Sequence, residues 1–257
     1  MVLGVDAVFN NLIRISYDGT NYSGFQIQDN AITVQEKLER ALEVIYKEPI
    51  RITGAGRTDS GVHARGQAAN FKGPFPITPE KLPHALNALL PADLVITGSK
   101  EVEKDFHARF DARRKLYSYT IDRAPFPQVM KRLYSWHMSE QLNLDIMKEA
   151  ASLFEGTHDF KIFQAAGSKV VKTERTLYRL EISELPREQL LILNFEGSGF
   201  LYRMVRLITG TLIRAGKGRL SLSEIDRALN CIDNAAAGPS APPWGLCLEQ
   251  VKYDCDH

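Results

Sequence analysis

Leu12 to Tyr17 alternates apolar and polar side chains, the period of a half-buried strand. Thr33-Val34-Gln35-Glu36 then forms a capping box that opens a helix carrying Leu38, Leu42 and Ile45. Ile50 to Thr53 and Gln67 to Phe71 read as strands flanking a glycine-rich run. Thr78-Pro79 predicts a helix start with proline at the first position, bearing Leu82, Leu86 and Leu89, before Leu94 to Ile96 resumes strand character. The order is strand, helix, strand, strand, helix, strand. It recurs from Lys115: a Tyr-rich strand to Asp122, a helix from Asn143 to Phe154, strands at Thr176 to Ile182 and Leu190 to Phe195, then helices and a last strand from Leu246 to Val251.

This order predicts an α+β fold of two ferredoxin-like (RRM-like) split β-α-β domains, each an antiparallel sheet with helices on one face, the sheets joined edge to edge into one extended sheet. The expected domains are 1–110, carrying the glycine-rich run, and 111–257. The charged junction Lys104 to Arg114 contains Phe106 and Phe110, which predict a packed connection rather than a free linker. Pro125 to Gln141, Gly167 to Lys172 and Ala235 to Pro243 read as loops.

A chain of 257 residues can bury a substantial core, and 32 Lys and Arg against 31 Asp and Glu leave a net charge of +1 that names no partner. The distribution is more informative. From Phe200 to Arg219 there are Arg203, Arg206, Arg214, Lys217 and Arg219 and no acid. At about 100° per residue, Phe200, Leu201, Met204, Val205, Ile208 and Leu212 share one helix face, and Arg203, Arg206 and Arg214 lie opposite. Arg123 to His137 and Lys161 to Lys172 also lack acids, and three basic stretches point to a phosphate backbone, hence RNA. Any one of them alone reads as an ordinary solvated face. Cys231, Cys247 and Cys255 are odd in number and lack Cys-x-x-Cys spacing, so neither a disulfide framework nor a zinc cage is expected. A cytoplasmic protein without export signal or membrane span is expected.

The chemistry concentrates in Gly54-Ala55-Gly56-Arg57-Thr58-Asp59-Ser60-Gly61-Val62-His63-Ala64, a segment too polar for core, whose glycines permit unusual backbone and close approach of a ligand. One reading is a tight turn in which Asp59 caps backbone amides. A second takes Asp-Ser-Gly as an aspartic-protease signature, but no second Asp-Ser/Thr-Gly occurs and an adjacent Arg opposes proton sharing. A third uses Asp59 as an ionised nucleophile or base, favoured by a guanidinium from Arg57 or Arg206. Tyr117 and Tyr119 point to one sheet face, as packing or as platforms for a base. His63, His107, His137 and His158 have no metal-site spacing, and no metal is expected.

Gly56 to Ala64 resembles the signature loop of the TruA-type tRNA pseudouridine synthases, and the resemblance continues through Tyr17 to Gln26, Thr33-Val34-Gln35, Gly66 to Phe71, Phe106 to Phe110, Lys115 to Tyr119, His158-Asp159-Phe160, Gly199 to Arg206 and Gly245 to Leu248. Ser60 stands where the family has Ala, and Phe25 where Trp is common. The resemblance implies conversion of uridine to pseudouridine at positions 38, 39 and 40 of the tRNA anticodon stem-loop, without cofactor, by a cytoplasmic homodimer. It implies Asp59 as the catalytic aspartate, Tyr117 as the tyrosine stacking on the target base, and Arg206 as the basic partner of the aspartate. Arg57 would displace the flipped uridine and Leu246 would floor the site, with His63 and Arg203 among the substrate contacts. A rival of another class is a catalytically silent RNA-binding module.

Overall fold

A computed structural model describes residues 9–74, 76–168, 170–231 and 237–256. The chain forms two compact units, Met1–Arg113 with Leu248–His257, and Arg114–Cys247.

In the first unit, strand β1 (Phe9–Tyr17) lies between β3 (His63–Gly73) and β4 (Leu94–Val102), antiparallel to both. Short β2 (Ile52–Gly54) pairs antiparallel with β3. Helix α1 (Val34–Tyr46) starts where the capping box predicts, with Thr33 Oγ1 accepting from the Glu36 amide at 3.3 Å. Ile13, Ile15, Leu38, Leu42, Leu82 and Leu86 are sealed in the core, the apolar positions of strand and helix period.

Helix α2 (Lys81–Asn87) starts later than Pro79. The amides of Lys81 and Leu82 donate to Thr78 O at 2.9 and 3.1 Å, so Pro79 sits in a turn leading into the helix. The helix ends at Asn87, whose side-chain amide pairs with both backbone groups of Ile96 on β4, at 2.9 and 2.7 Å. Leu89 therefore falls beyond the helical register and is exposed. In the junction, Phe106 packs beside Tyr253 with ring centroids 5.1 Å apart, as expected, but Phe110 is exposed and stacks on the His107 ring at 4.2 Å.

The expected division at residue 110 leaves out one feature. The final strand, β10 (Leu246–Lys252), is shared between the units, and from Leu248 the chain belongs with the first. Its backbone there lies so close to β3 that a Cβ on Gly66 would meet Glu249 O at 2.3 Å, and Arg65 pairs with Glu249 at 2.7 Å. The Arg113 amide also donates to Lys252 O at 2.9 Å.

In the second unit, β5 (Arg114–Asp122), β9 (Leu190–Gly197), β8 (Glu174–Leu185) and β7 (Gly156–Asp159) pair antiparallel in that order. Two-residue β6 (Trp136–His137) runs parallel to the end of β5. Helix α3 (Leu144–Leu153) is capped by Asn143 Oδ1, which accepts from the Ile146 amide at 3.1 Å. Helices α4 (Met204–Gly216) and α5 (Leu222–Cys231) follow.

Helix α4 departs from the expected two-faced pattern. Phe200 and Leu201 precede it, and Arg206, Thr209, Gly210 and Thr211 are buried along with the apolar residues. The cause is a covering segment. Gly238 N donates to Thr211 Oγ1 at 2.8 Å, and a Cβ on Gly210 would meet Pro239 O at 1.8 Å, so residues 238–241 lie directly on the helix. On its other side a Cβ at Gly216 would meet the Met147 side chain of α3 at 2.7 Å. Among the described residues, no helix is long and apolar enough to cross a membrane.

Candidate active site

The Asp59 loop joins β2 to β3 and is held by a second segment, residues 17–25, remote in sequence. Phe25 N donates to Thr58 O at 3.1 Å, Gly61 N to Tyr22 O at 3.3 Å, and Ser60 Oγ to the same carbonyl at 3.3 Å. Tyr17 Oη and Thr58 Oγ1 share a buried hydrogen bond of 2.7 Å. Behind the loop, Gln67 Nε2 donates to Gly56 O at 3.1 Å, and Ala55 N to Ala68 O at 2.8 Å. Val62 N closes back on Asp59 O at 3.1 Å, a turn that runs through Gly61 at φ +76°.

Two glycines make this clasp possible. A Cβ on Gly19 would meet Val62 O at 2.0 Å, and one on Gly24, which is at φ +95°, would meet Thr58 O at 2.7 Å. Both obstacles are backbone, which cannot swing aside. Gly54 serves the Phe25 ring in the same way, its absent Cβ lying 2.4 Å from that ring.

The clasp sorts the loop's side chains. Arg57 is exposed, Thr58 buried, and Asp59 half-buried. His63 is 5 % exposed; its Nδ1 accepts from the Gly19 amide at 3.0 Å and lies 3.1 Å from the Asp18 carboxylate. Its ring therefore ties the two segments together instead of facing solvent. The Asp18 carboxylate also accepts from the Thr20 amide at 3.0 Å, which fixes the turn that presents Gly19. Tyr22 Oη donates to Asp93 at 2.7 Å, and burial, this hydrogen bond and the neighbouring acids hold its phenol well above the ordinary tyrosine range.

In the second unit, Tyr117 on β5 is 8 % exposed, and the Phe200 ring meets it edge-on at 5.2 Å. Tyr119, two residues on, is fully buried and donates from Oη to Pro242 O at 2.8 Å. Burial pushes its phenol far above the usual range, with the Arg206 charge acting in the opposite sense. Tyr119 is thus a packing residue.

Arg206, in the first turn of α4, is 7 % exposed. Its Nε donates to Ala241 O at 2.7 Å while its own carbonyl accepts from Ala241 N at 3.0 Å, a two-way latch onto the covering segment. This corrects the expectation that Arg206 lies on a solvent-facing helix side. Arg203 does face outward, at the N-cap in a left-handed conformation of φ +59°, its guanidinium 5.1 Å from the Tyr202 ring centroid. Leu246, at the start of β10, is buried. The segment from Ala241 to Leu246 touches both partners in this unit: Ala241 holds Arg206, Pro242 holds Tyr119, and a Cβ on Gly245 would meet the Tyr119 ring at 2.8 Å.

Sequence reading missed Tyr17 and Thr58 as a buried pair, and Tyr22 as the carbonyl that anchors the loop. Their signal was available in the polar, glycine-containing run Tyr17 to Gly24, which a mere strand end does not require. Among the described residues, no group of three or more His, Cys, Asp or Glu is placed to hold a metal ion.

Comparison with known proteins bears on this arrangement. The sequence pattern of the tRNA pseudouridine synthase family matches residues 13–111 and 150–254. A tRNA pseudouridine synthase A of Thermoanaerobacter sp. (strain X514) is 47 % identical over 95 % of this chain and 99 % of its own. One of Bacillus subtilis (strain 168) is 46 % identical over 93 % of this chain and 97 % of its own. The chain belongs to the tRNA pseudouridine synthase family. Among solved structures, a chain of a Cbf5-Nop10-Gar1 complex aligns over 94 % of this chain, which spans 48 % of that one, at TM-score 0.38 and 14 % identity. A likeness that remote carries no weight beside the family match.

Proposed function

We propose that this protein isomerises uridine to pseudouridine at positions 38, 39 and 40 of the tRNA anticodon stem-loop, as a cytoplasmic homodimer. The reaction breaks the bond from C1′ of the ribose to N1 of uracil, turns the base, and forms a bond from C1′ to C5. The C5 proton leaves and N1 gains one. No electrons are exchanged overall, so the stoichiometry calls for no cofactor.

Asp59 acts as the nucleophile or base that starts the isomerisation. The observation that carries this assignment is the clasp: a half-buried carboxylate on a loop whose neighbours on both sides are pinned by backbone hydrogen bonds, in a member of this family. Such fixation contributes by holding the group in attack geometry, so that no ordering remains to be done when substrate binds. Tyr117 stacks on the target base, and Arg206 serves as the basic residue of the reaction. A uridine in a stem must leave the helix, at about a few kcal/mol of unstacking, and exposed Arg57 takes its place there. Leu246 provides the apolar floor and Arg203 a phosphate contact. His63 we assign to holding the loop rather than to touching substrate, given its buried ring and its bond to Gly19.

Asp59→Ala should abolish pseudouridine at all three positions, read by carbodiimide treatment and primer extension, while tRNA affinity stays within a few-fold. Undiminished product from Asp59→Ala would overturn the assignment. Equal loss of product and of binding would assign Asp59 to binding alone, and tRNA binding without product by the wild type would mark a silent RNA-binding module instead.

A further inference from the structure

Trp136 and Trp244 are the chain's two tryptophans, and both line one cavity of about 260 Å³ in the second unit. The rest of its wall comes largely from the strap between β5 and β6, including Gln128 and Arg132. Packing accounts for part of this. The Trp136 indole meets the buried Tyr119 ring edge-on at 6.4 Å. Trp244 is 42 % exposed at the cavity, a large apolar ring left in contact with solvent.

The strap is built to stay in place. The buried Asp122 carboxylate accepts from Ala124 N at 3.0 Å, Gln128 N at 2.9 Å and Gln128 Nε2 at 2.9 Å. His137 Nε2 donates to Ala124 O at 2.9 Å. These bonds commit the Asp122 carboxylate, the Gln128 amide and the His137 ring to the strap itself, and the two indoles and the exposed Arg132 line the same cavity. From Arg123 to Met138 the strap has three cations and no acid. Lys131 is held by Glu188, with its Nζ donating to the Glu188 carbonyl at 3.1 Å, and Arg123 donates to the carbonyls of Met138 and Glu140, both at 2.7 Å. Arg132 is exposed and donates from Nη1 to Val129 O at 2.9 Å.

Two indoles and a guanidinium in one cavity wall, whose Asp122 carboxylate is satisfied by three N–H donors, suit a planar base and its phosphate. The volume is below the range of drug-sized sites, about 300–1,000 Å³, and fits a single heterocycle. Along β5, Asp122 lies five residues from Tyr117, about 17 Å at strand rise. Tyr117 is absent from the cavity's wall, which meets β5 at Asp122, beyond Tyr119.

We propose that this cavity is a second nucleotide subsite, which takes one unstacked nucleotide of the same tRNA, its base against the indoles and its phosphate on Arg132. The proposal rests on the reading that tRNA is the substrate. Because every base has a π-face, the subsite reads an unpaired nucleotide rather than a particular letter.

The protein carries its own probe, since all tryptophan emission comes from this cavity. Titration of the full chain with tRNA should quench that emission to saturation at the affinity measured independently by filter binding. A blunt RNA duplex without unpaired nucleotides should leave it unchanged, and uridine monophosphate should quench only at far higher concentration. Trp244→Ala should raise the tRNA Kd and KM about 5- to 100-fold at unchanged kcat, and Trp244→Phe should restore most of the affinity. Absent quenching by tRNA, equal quenching by the duplex, or unaltered Kd in Trp244→Ala would overturn the subsite. So would monophosphate binding as tightly as tRNA, which marks a free-nucleotide site, or a Trp244→Ala change confined to dimer sedimentation, which marks a protein contact. Pseudouridine formation by the wild type on the same tRNA separates the two readings: product without quenching rejects the subsite alone, and no product rejects the proposed function.

Discussion

The Asp59 loop of the first unit and the start of α4 in the second are both pinned by a remote segment, yet they place their charged residue oppositely. Around Asp59 the pinning is mainly backbone to backbone, from residues 17–25, and leaves the carboxylate half-buried and the adjacent Arg57 outside. At α4 the pinning includes the charged side chain itself: Arg206 Nε is bonded to Ala241 O, and the guanidinium is enclosed with it. A loop held by its main chain presents its side chains to a substrate. A helix held by its arginine uses that arginine for structure, and the role in chemistry proposed above would be added to it, so its substitution should affect both.

The largest effects should follow from the glycines beneath each clasp. Gly19→Ala drives a Cβ into Val62 O, and Gly210→Ala drives one into Pro239 O, at 2.0 and 1.8 Å. Because the obstacle is backbone in both, each should destabilise by about 1–3 kcal/mol or more, measured by urea unfolding. They should differ in activity: Gly19→Ala displaces the Asp59 loop and should reduce turnover of the remaining folded enzyme at least tenfold, with tRNA affinity near normal. If Gly19→Ala lost affinity and kept turnover, the clasp would not be positioning Asp59.

Arg206→Ala comes next. Loss of the bond to Ala241 O should cost about 1–3 kcal/mol, the range for a buried acceptor left unsatisfied, together with impaired pseudouridine formation. Loss of turnover at unchanged stability would contradict the dual role. In the first unit the matched probe is Tyr17→Phe, which removes the bond to Thr58 for about 1 kcal/mol and should lower kcat several-fold at unchanged KM. Thr58→Val should have the same effect, and the double variant no more than either alone.

Alkali should probe both units together. Tyr22 and Tyr119 have phenols raised chiefly by burial, so the neutral form is favoured in the fold and the unfolded chain loses those protons first. The contribution is complete below the unfolded value of about 10 and declines as pH rises from there toward the folded values. Thermal stability should fall above about pH 10, and Tyr119→Phe should flatten that fall. The smallest effect belongs to Ser60→Ala. Its exposed hydroxyl makes one 3.3 Å bond to Tyr22 O, so stability should change by less than about 0.5 kcal/mol and activity by less than twofold.

The same contrast explains what could be read from sequence. Strand and helix periods located most elements, because their apolar positions are also their buried ones, Ile13 and Ile15 on β1 and Leu38 and Leu42 on α1; β6, inside the expected loop Pro125 to Gln141, and the largely exposed β7 lack such a stripe and were not expected. The Asp59 loop was visible as chemistry because polar residues between glycines have no reason to be core. Helix α4 was misread because amphipathicity is judged one helix at a time. The cover from residues 238–241 adds a second buried face, and nothing within the helix announces it. The return of the chain to the first unit at Leu248 was hidden for the same reason, since strand partners at that separation leave no local pattern. His63 and Tyr17 carry polar groups used internally, and residue type alone does not separate such groups from those that meet substrate.

The central claim, that Asp59 starts the isomerisation, is tested most directly by following the C5 hydrogen. In a single-turnover reaction on tRNA made with 5-tritiated uridine, the wild type should release tritium as C5 bonds to the ribose. Asp59→Asn, equal in size and without charge, should bind the same tRNA and release none. Tritium release by Asp59→Asn at the wild-type rate would contradict the account.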